Sequence, residues 1–152
     1  MRKVTFGGAN SLDNFIARPD HAVDWLLWGK EAAAIMTDYW KTIDTVLMGR
    51  KTYEVAVRSG KGGAAYLGMK TYVFSRTLAE GSDDGVANIR GDAAEFVRDL
   101  KAQGGKEICL MGGGELARTV GRGTMREPGA GEAVLILGSG IARRAESGEP
   151  AG

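Results

Sequence analysis

The stretch that most constrains this chain is 108–117 (ICLMGGGELA), in which an apolar strand breaks into three glycines and resumes as a helix. Such a turn presents bare backbone N–H groups and a helix N-terminus, which is how many proteins hold a phosphate. Glycine suits this turn because a Cβ would keep a pyrophosphate away from the main chain. The alternative is an ordinary connection between a strand and a helix.

A second apolar strand also runs through a glycine into a basic turn, at 44–54 (DTVLMGRKTYE). Arg50 offers a fixed planar charge, Lys51 a mobile one, and Thr52 a hydroxyl that caps the next helix or donates to a phosphate. The alternative is a solvated turn before a capped helix. The segment is not a Walker loop, because Arg50 separates Gly49 from Lys51.

Strand and helix patterns alternate along the chain. Strands are predicted at 4–6, 45–48, 70–76, 86–89 and 108–111, and helices at 30–43, from 52, and from 93 to 103 after an Asp92 cap. This alternation predicts an α/β fold with a mostly parallel sheet, helices on both faces and a ligand at the carboxyl ends of the strands. The apolar face of helix 30–43 is expected to lie in the core; it consists of Ala33, Met36, Tyr39, Trp40 and Ile43.

Composition narrows the class of protein. A chain of 152 residues with 43% hydrophobic content suits one globular domain, and a net charge of +1 argues against nucleic acid or an anionic membrane as a partner. The chain has no apolar run of membrane length and no signal peptide, so a cytoplasmic protein is expected. Cys109 is the only cysteine and His21 the only histidine, so we expect neither a disulfide nor a metal site, and Cys109 to be a core residue.

The end of the chain has a different composition. Residues 121–152 contain 8 glycines and two of the three prolines, whereas residues 1–120 form the body of the α/β domain. We interpret 121–152 as an atypical glycine-rich segment of the same domain, with the composition of a partly disordered stretch. Within it, only 134–137 is predicted to form a strand.

Four motifs occur in a defined order: SLD at 11–13, MGRKTYE at 48–54, VFSR at 73–76 and MGGG at 111–114. This order resembles dihydrofolate-reductase-like proteins. The branch it resembles more closely is the C-terminal reductase domain of bacterial bifunctional riboflavin-biosynthesis deaminase-reductases. The resemblance covers residues 1 to about 120 and implies a three-layer α/β/α fold, NADPH as the hydride donor and, in many members, a homodimer.

The resemblance also implies which residues form the site. It places Asp13 near the reacting end as a proton donor, proton relay or substrate anchor, and the alternative for Asp13 is an Asx-turn residue. The implied cofactor-binding residues are Gly49, Arg50 and Thr52 for the phosphates, Ser75 and Arg76 for the 2′-phosphate, and Gly112, Gly113 and Gly114 for the pyrophosphate.

The chain also departs from the family. Ala33 lies where dihydrofolate reductase has the carboxylate that binds the pterin, which argues against folate as the substrate. Asn14 replaces a glycine of the turn motif, and 121–129 replaces an acidic Ile-Asp-Glu segment.

We therefore hypothesise an NADPH-dependent reductase of a small heterocyclic or carbonyl substrate, similar to the 5-amino-6-(5-phosphoribosylamino)uracil reductase domain of riboflavin biosynthesis. The alternative is a nucleotide-binding or dimerising protein without turnover.

Overall fold

The computed structural model describes residues 2–10, 18–20, 29–58, 68–78, 82–83, 85–111, 114–124, 132–138 and 141–146. Its strands are β1 (Val4–Asn10), β2 (Ile43–Gly49), β3 (Lys70–Phe74), β4 (Ser82–Asp83), β5 (Val86–Ile89), β6 (Glu107–Met111), β7 (Glu132–Gly138) and β8 (Ile141–Glu146). Its helices are α1 (Lys30–Thr42), α2 (Arg50–Arg58), α3 (Ala93–Ala102) and α4 (Gly114–Thr124). None of these helices, in the described residues, combines the length and the apolar character needed to cross a membrane.

The described strands form one sheet in the order β4-β5-β3-β2-β6-β1-β7-β8. The six inner strands are parallel to their neighbours, whereas β4 and β8 run antiparallel at the two edges. Strand β1 lies in the interior of the sheet, where Val4 is opposite Ile108 of β6 and Glu132 of β7. The mostly parallel sheet predicted from the alternating pattern is therefore confirmed.

Both faces of the central strands β2 and β6 are buried, so successive residues of each strand enter different hydrophobic clusters. In β2, Leu47 belongs to one cluster and its neighbours Val46 and Met48 belong to the other. The first cluster includes residues of α3 and α4, and the second is packed by Tyr39, Trp40 and Tyr53 of α1 and α2. Helices thus cover both faces of the sheet, which confirms the three-layer α/β/α arrangement.

Helix α1 contributes less to the core than its pattern predicts. None of its residues is fully buried, and Tyr39 and Trp40 are half-buried against the second cluster. Ile43 is buried, but it is the first residue of β2 and not the end of α1. Helical spacing identifies the face that turns toward the sheet, whereas the depth of burial depends on how closely the layers approach each other.

The segment after residue 120 forms more regular structure than its composition predicts. The predicted strand at 134–137 is confirmed as part of β7. The expectation that this segment forms only one strand is wrong, because β8 pairs with β7 in antiparallel register, with Ile141 opposite Gly138 and Glu146 opposite Ala133. An edge strand is stabilised by backbone hydrogen bonds to one neighbour and needs no alternating apolar pattern. The consecutive Arg143 and Arg144 break the alternating apolar pattern from which a strand would be predicted.

An ion pair between Arg2 and Asp44 fastens the amino-terminal edge of the sheet. Asp44 Oδ2 accepts a hydrogen bond from the backbone N–H of Lys106 at 2.8 Å, and Arg2 Nε donates to the Lys106 carbonyl at 2.7 Å. Burial by itself raises the pKa of Asp44, but the Lys106 N–H, the Thr45 hydroxyl and the Arg2 charge together lower that pKa below its ordinary value. The pair therefore joins the start of β2 to the loop that precedes β6.

Two valines on helices provide a matched test of the core. Val97 of α3 is fully buried, whereas Val57 of α2 is 46% exposed. Val97→Ala removes buried methyl groups and should lower the free energy of unfolding by about 2 kcal/mol. Val57→Ala should change it by less than about 0.5 kcal/mol. Urea denaturation of both variants measures the difference, and equal losses would contradict this assignment of the core.

The lowered pKa of Asp44 predicts a contribution to acid stability. Because the folded-state pKa lies below the unfolded one, the pair stabilises the fold above about pH 4, and this stabilisation is lost as the pH falls through the folded pKa. Asp44→Asn should therefore be less stable than the wild type near neutral pH, with a shallower loss between about pH 5 and pH 3. Asp38→Asn, which removes an exposed carboxylate, is the control. Parallel pH curves for Asp44→Asn and the wild type would contradict the prediction.

Candidate functional site

A cleft of about 490 Å³ opens at the carboxyl ends of β2, β3 and β5. We call it the strand-end cleft. Its floor includes Gly49, Phe74 and Ile89, the last residues of these three strands. Its walls include the first residues of α2 and α3 and, from the first turn of α4, Glu115. Parallel strands that all end at one edge, each followed by a helix, create this kind of opening.

The structure brings together five of the residues implied by the resemblance. The strand-end cleft is lined by Gly49, Arg50, Thr52, Ser75 and Arg76. Gly114 is the first residue of α4, so the predicted succession of strand, glycines and helix is present, and the next residue, Glu115, lines the cleft. Asp13, Gly112 and Gly113 lie outside the described residues.

The segment after β3 is a turn and not the end of a strand. The predicted strand 70–76 stops at Phe74, because the side chain of Ser75 redirects the backbone. Ser75 Oγ accepts hydrogen bonds from the backbone N–H groups of Thr77 at 3.2 Å and Leu78 at 3.1 Å. Hydroxyls commonly stabilise turns in this way. The buried Ser75 therefore shapes the turn on which the exposed Arg76 is carried into the cleft.

Arg90, just after β5, is a cleft residue that the sequence analysis missed. Its Nη2 donates to the Leu78 carbonyl at 2.7 Å, and Asn88 Nδ2 donates to the same oxygen at 3.0 Å. These two bonds tie the end of β5 to the turn that carries Arg76. The signal in the sequence is only an arginine after a short strand. Arg90 reaches the cleft only because β5 lies next to β3 in the sheet.

Cationic groups dominate the strand-end cleft. Arg50, Lys51, Arg76 and Arg90 line it, against two carboxylates, Asp92 and Glu115. Asp92 is engaged as the cap of α3, because its Oδ1 accepts from the N–H groups of Ala94 at 2.8 Å and Glu95 at 3.1 Å. The N-termini of α2 and α4 add the positive end of their helix dipoles to this region. The cleft is therefore suited to an anionic ligand.

Arg50 is available to such a ligand. Its guanidinium pairs with Glu54, one helical turn further along α2, at 3.0 Å, and both side chains are about two-fifths exposed. An exposed pair of this kind contributes only about 0.3–0.5 kcal/mol. A phosphate, with more acceptor oxygens and the helix dipole behind it, can compete with Glu54 for the guanidinium.

Two ionisable groups near the sheet are packing residues. Cys109 is fully buried in the second cluster, and burial raises the pKa of its thiol to about 12. Burial also raises the pKa of Tyr39 well above its ordinary value. Neither group ionises near neutral pH, and the prediction that Cys109 is a core residue is confirmed.

Comparison with known families and proteins adds independent information. The model of the family described as the RibD C-terminal domain matches residues 2–126. The uncharacterised Bacillus subtilis (strain 168) protein YwjB is 34% identical over 146 residues, which cover 92% of this chain and 81% of YwjB. YyaP from the same organism, also uncharacterised, is 32% identical over 129 residues, covering 78% of this chain and 67% of YyaP.

Two solved structures share the fold. A candidate riboflavin biosynthesis protein from Shewanella sp. PV-4 superposes with a TM-score of 0.59 at 23% identity, over 91% of this chain and 78% of the other. Schistosoma mansoni dihydrofolate reductase superposes with a TM-score of 0.62 at 17% identity, over 92% of this chain and 76% of the other. At these identities the likeness establishes the dihydrofolate-reductase-like architecture, as the sequence predicts.

Proposed function

This chain belongs to the RibD C-terminal domain family, and we propose that it is an NADPH-dependent reductase of a small heterocyclic or carbonyl substrate. The observation that carries the proposal is the strand-end cleft, where four cationic side chains meet two helix N-termini at the carboxyl edge of the sheet. We also propose that the protein is a cytoplasmic homodimer, as the resemblance to the family implies.

The residues of the cleft fit the chemistry of a phosphorylated dinucleotide. NADPH carries a pyrophosphate and a separate 2′-phosphate, so it needs cations at two places. Arg50, with Gly49 and Thr52 beside it, would hold the pyrophosphate at the start of α2, together with the glycine turn before α4. Arg76, on the turn shaped by Ser75, would pair with the 2′-phosphate. The apolar side chains of Phe74, Ile89 and Leu116 offer contact surface for an adenine ring.

Bound NADPH supplies a hydride to the substrate, and the protein supplies orientation and a proton. We propose Asp13 for the proton or for anchoring the substrate. Ala33 of α1 is half-buried and cannot ionise, so the pterin anchor expected of a folate reductase is missing at that position. Membership of the RibD C-terminal domain family, with the resemblance to its uracil reductase, favours a pyrimidine-like heterocycle over folate.

The overall proposal is tested by titrating NADPH and NADH separately while following intrinsic tryptophan fluorescence. Oxidation of the bound nucleotide is then measured by its absorbance after adding pyrimidine or carbonyl acceptors. Saturable NADPH binding with acceptor-dependent oxidation is expected. NADPH binding without oxidation by any acceptor would favour a nucleotide-binding module, and absence of binding would overturn the proposal.

Arg76→Ala should separate the two nucleotides. Loss of one charge-assisted contact costs about 1.5–3 kcal/mol, so NADPH affinity should fall about 10- to 100-fold while NADH affinity is nearly unchanged. Arg98→Ala, which removes an exposed arginine of α3 outside the cleft, is the matched control and should leave both affinities unaltered. Equal wild-type affinities for NADPH and NADH would contradict the role assigned to Arg76.

Asp13→Asn should reduce turnover without weakening NADPH binding. If Asp13 handles a proton, kcat should fall by about 100-fold or more, because positioned acids and bases contribute factors of this size. NADPH affinity should stay within about twofold, since the phosphate contacts are made by other residues. Steady-state kinetics and fluorescence titration measure the two effects. Normal kcat per folded molecule, together with lower stability, would show that Asp13 is only a turn residue.

A further inference from the structure

A second cavity, of about 450 Å³, lies at the opposite, amino-terminal edge of the sheet, below the start of β1 and the end of α3. We call it the Arg2 cavity. It is lined by Arg2, Lys101, Ala102, Gln103, Gly104 and Gly105. None of these residues lines the strand-end cleft, so the two openings are separate. Two cationic side chains line the Arg2 cavity, and both are buried.

Arg2 uses only part of its hydrogen-bonding capacity within the protein. Its side chain is 6% exposed. Nε donates to the Lys106 carbonyl at 2.7 Å, and Nη2 pairs with Asp44 and donates to Thr45 Oγ1 at 3.0 Å. Among the described residues, no group accepts a hydrogen bond from Nη1. The edge of the guanidinium formed by Nε and Nη2 is therefore held in place, while the two N–H groups of Nη1 are left for another acceptor.

Lys101 has no acceptor at all in the part of the chain that the structure describes, although the residue is only 3% exposed. Its position in the last turn of α3 gives a favourable interaction with the helix dipole, but that interaction supplies no hydrogen bond to the ammonium. The ammonium is not among the fully buried polar atoms that lack a partner, so it keeps contact with solvent at the cavity. An acceptor from a bound molecule would take the place of that solvent.

The glycine loop that lines the cavity lies directly against the ion pair of Arg2 and Asp44. Gly105 has a φ of +147°, and a Cβ at this position would lie 2.7 Å from Asp44 Oδ2 and 3.0 Å from Arg2 Cζ. The backbone is thus pressed directly against the ion pair, and the N–H of Lys106 is bound to Asp44. Because the ion pair fixes both the loop and Arg2, the unused donors are positioned before any ligand arrives.

We propose that the Arg2 cavity binds a phosphate group, held between Nη1 of Arg2 and Nζ of Lys101. Asp44 already balances the charge of Arg2, so Lys101 contributes the uncompensated positive charge of the site. A phosphate offers several acceptor oxygens to these donors. The volume of the cavity leaves room for a small organic group attached to the phosphate. This site is independent of the proposed reductase activity, and it stands if that proposal fails.

The test is a titration with inorganic phosphate at constant ionic strength, followed through the backbone amide NMR signals of Gly104 and Gly105. Saturable shifts are expected for the wild type. Lys101→Met keeps the apolar stem but removes the charge, and it should weaken phosphate binding at this site by at least about tenfold. Lys101→Arg should retain binding. Replacing inorganic phosphate with glycerol 3-phosphate distinguishes the sources: tighter binding points to a phosphorylated metabolite, and equal binding to free phosphate.

Two controls separate this site from other effects of charge. Lys106→Met makes the same change five residues away, where Nζ donates to the Lys41 carbonyl, and should leave the phosphate response intact. Arg76→Ala alters the strand-end cleft and should also leave the Gly104 and Gly105 signals responsive. Non-saturable shifts in the wild type, or the same saturable shifts in Lys101→Met, would overturn the proposal. If Lys101→Met fails to fold, the titrations of the wild type and of Lys101→Arg still test whether phosphate binds in the Arg2 cavity.

Discussion

The architecture depends on the burial of both faces of the parallel sheet. Leu47 packs under α3 and α4 while Val46 and Met48 pack under α1 and α2, so the central strand β2 has no solvated face on which polar chemistry could be placed. Both cavities described above accordingly lie at ends of the strands. The strand-end cleft occupies the carboxyl edge and the Arg2 cavity the amino edge, and a short turn borders each of them.

The two openings use local hydrogen bonds in the same manner. At the carboxyl edge, the hydroxyl of Ser75 sets the turn that presents Arg76, and Arg90 secures that turn through the Leu78 carbonyl. At the amino edge, Asp44 sets both Arg2 and the glycine loop. In each case one buried or half-buried polar side chain is used to shape backbone, and a neighbouring cation is left with donors that face solvent or a ligand. The residues that shape the backbone are therefore distinct from the cations that line the two openings.

Sequence patterns predicted those features that depend on local spacing. Apolar runs located the inner strands, Asp92 was identified as the cap of α3, and motif order brought together residues that line one cleft, such as Arg50 and Arg76. Features that depend on which strands become neighbours could not be predicted. Arg90 is significant only because β5 pairs with β3, and β8 is ordered by β7 despite its two adjacent arginines. The partnership of Arg2 with Asp44 spans 42 residues and leaves no periodic signal.

The interior position of β1 has a consequence for how the chain is made. Strand β1 pairs with β6 and β7, which are synthesised about 100 and about 130 residues after it. Until then its backbone N–H and C=O groups have neither of their final strand partners, although β2, β3 and β5 can already assemble beside one another. Contacts this distant in sequence are associated with slow folding and with exposure of unpaired strands. Among the described strands, β1 is therefore the one that most depends on protection while the chain is being synthesised.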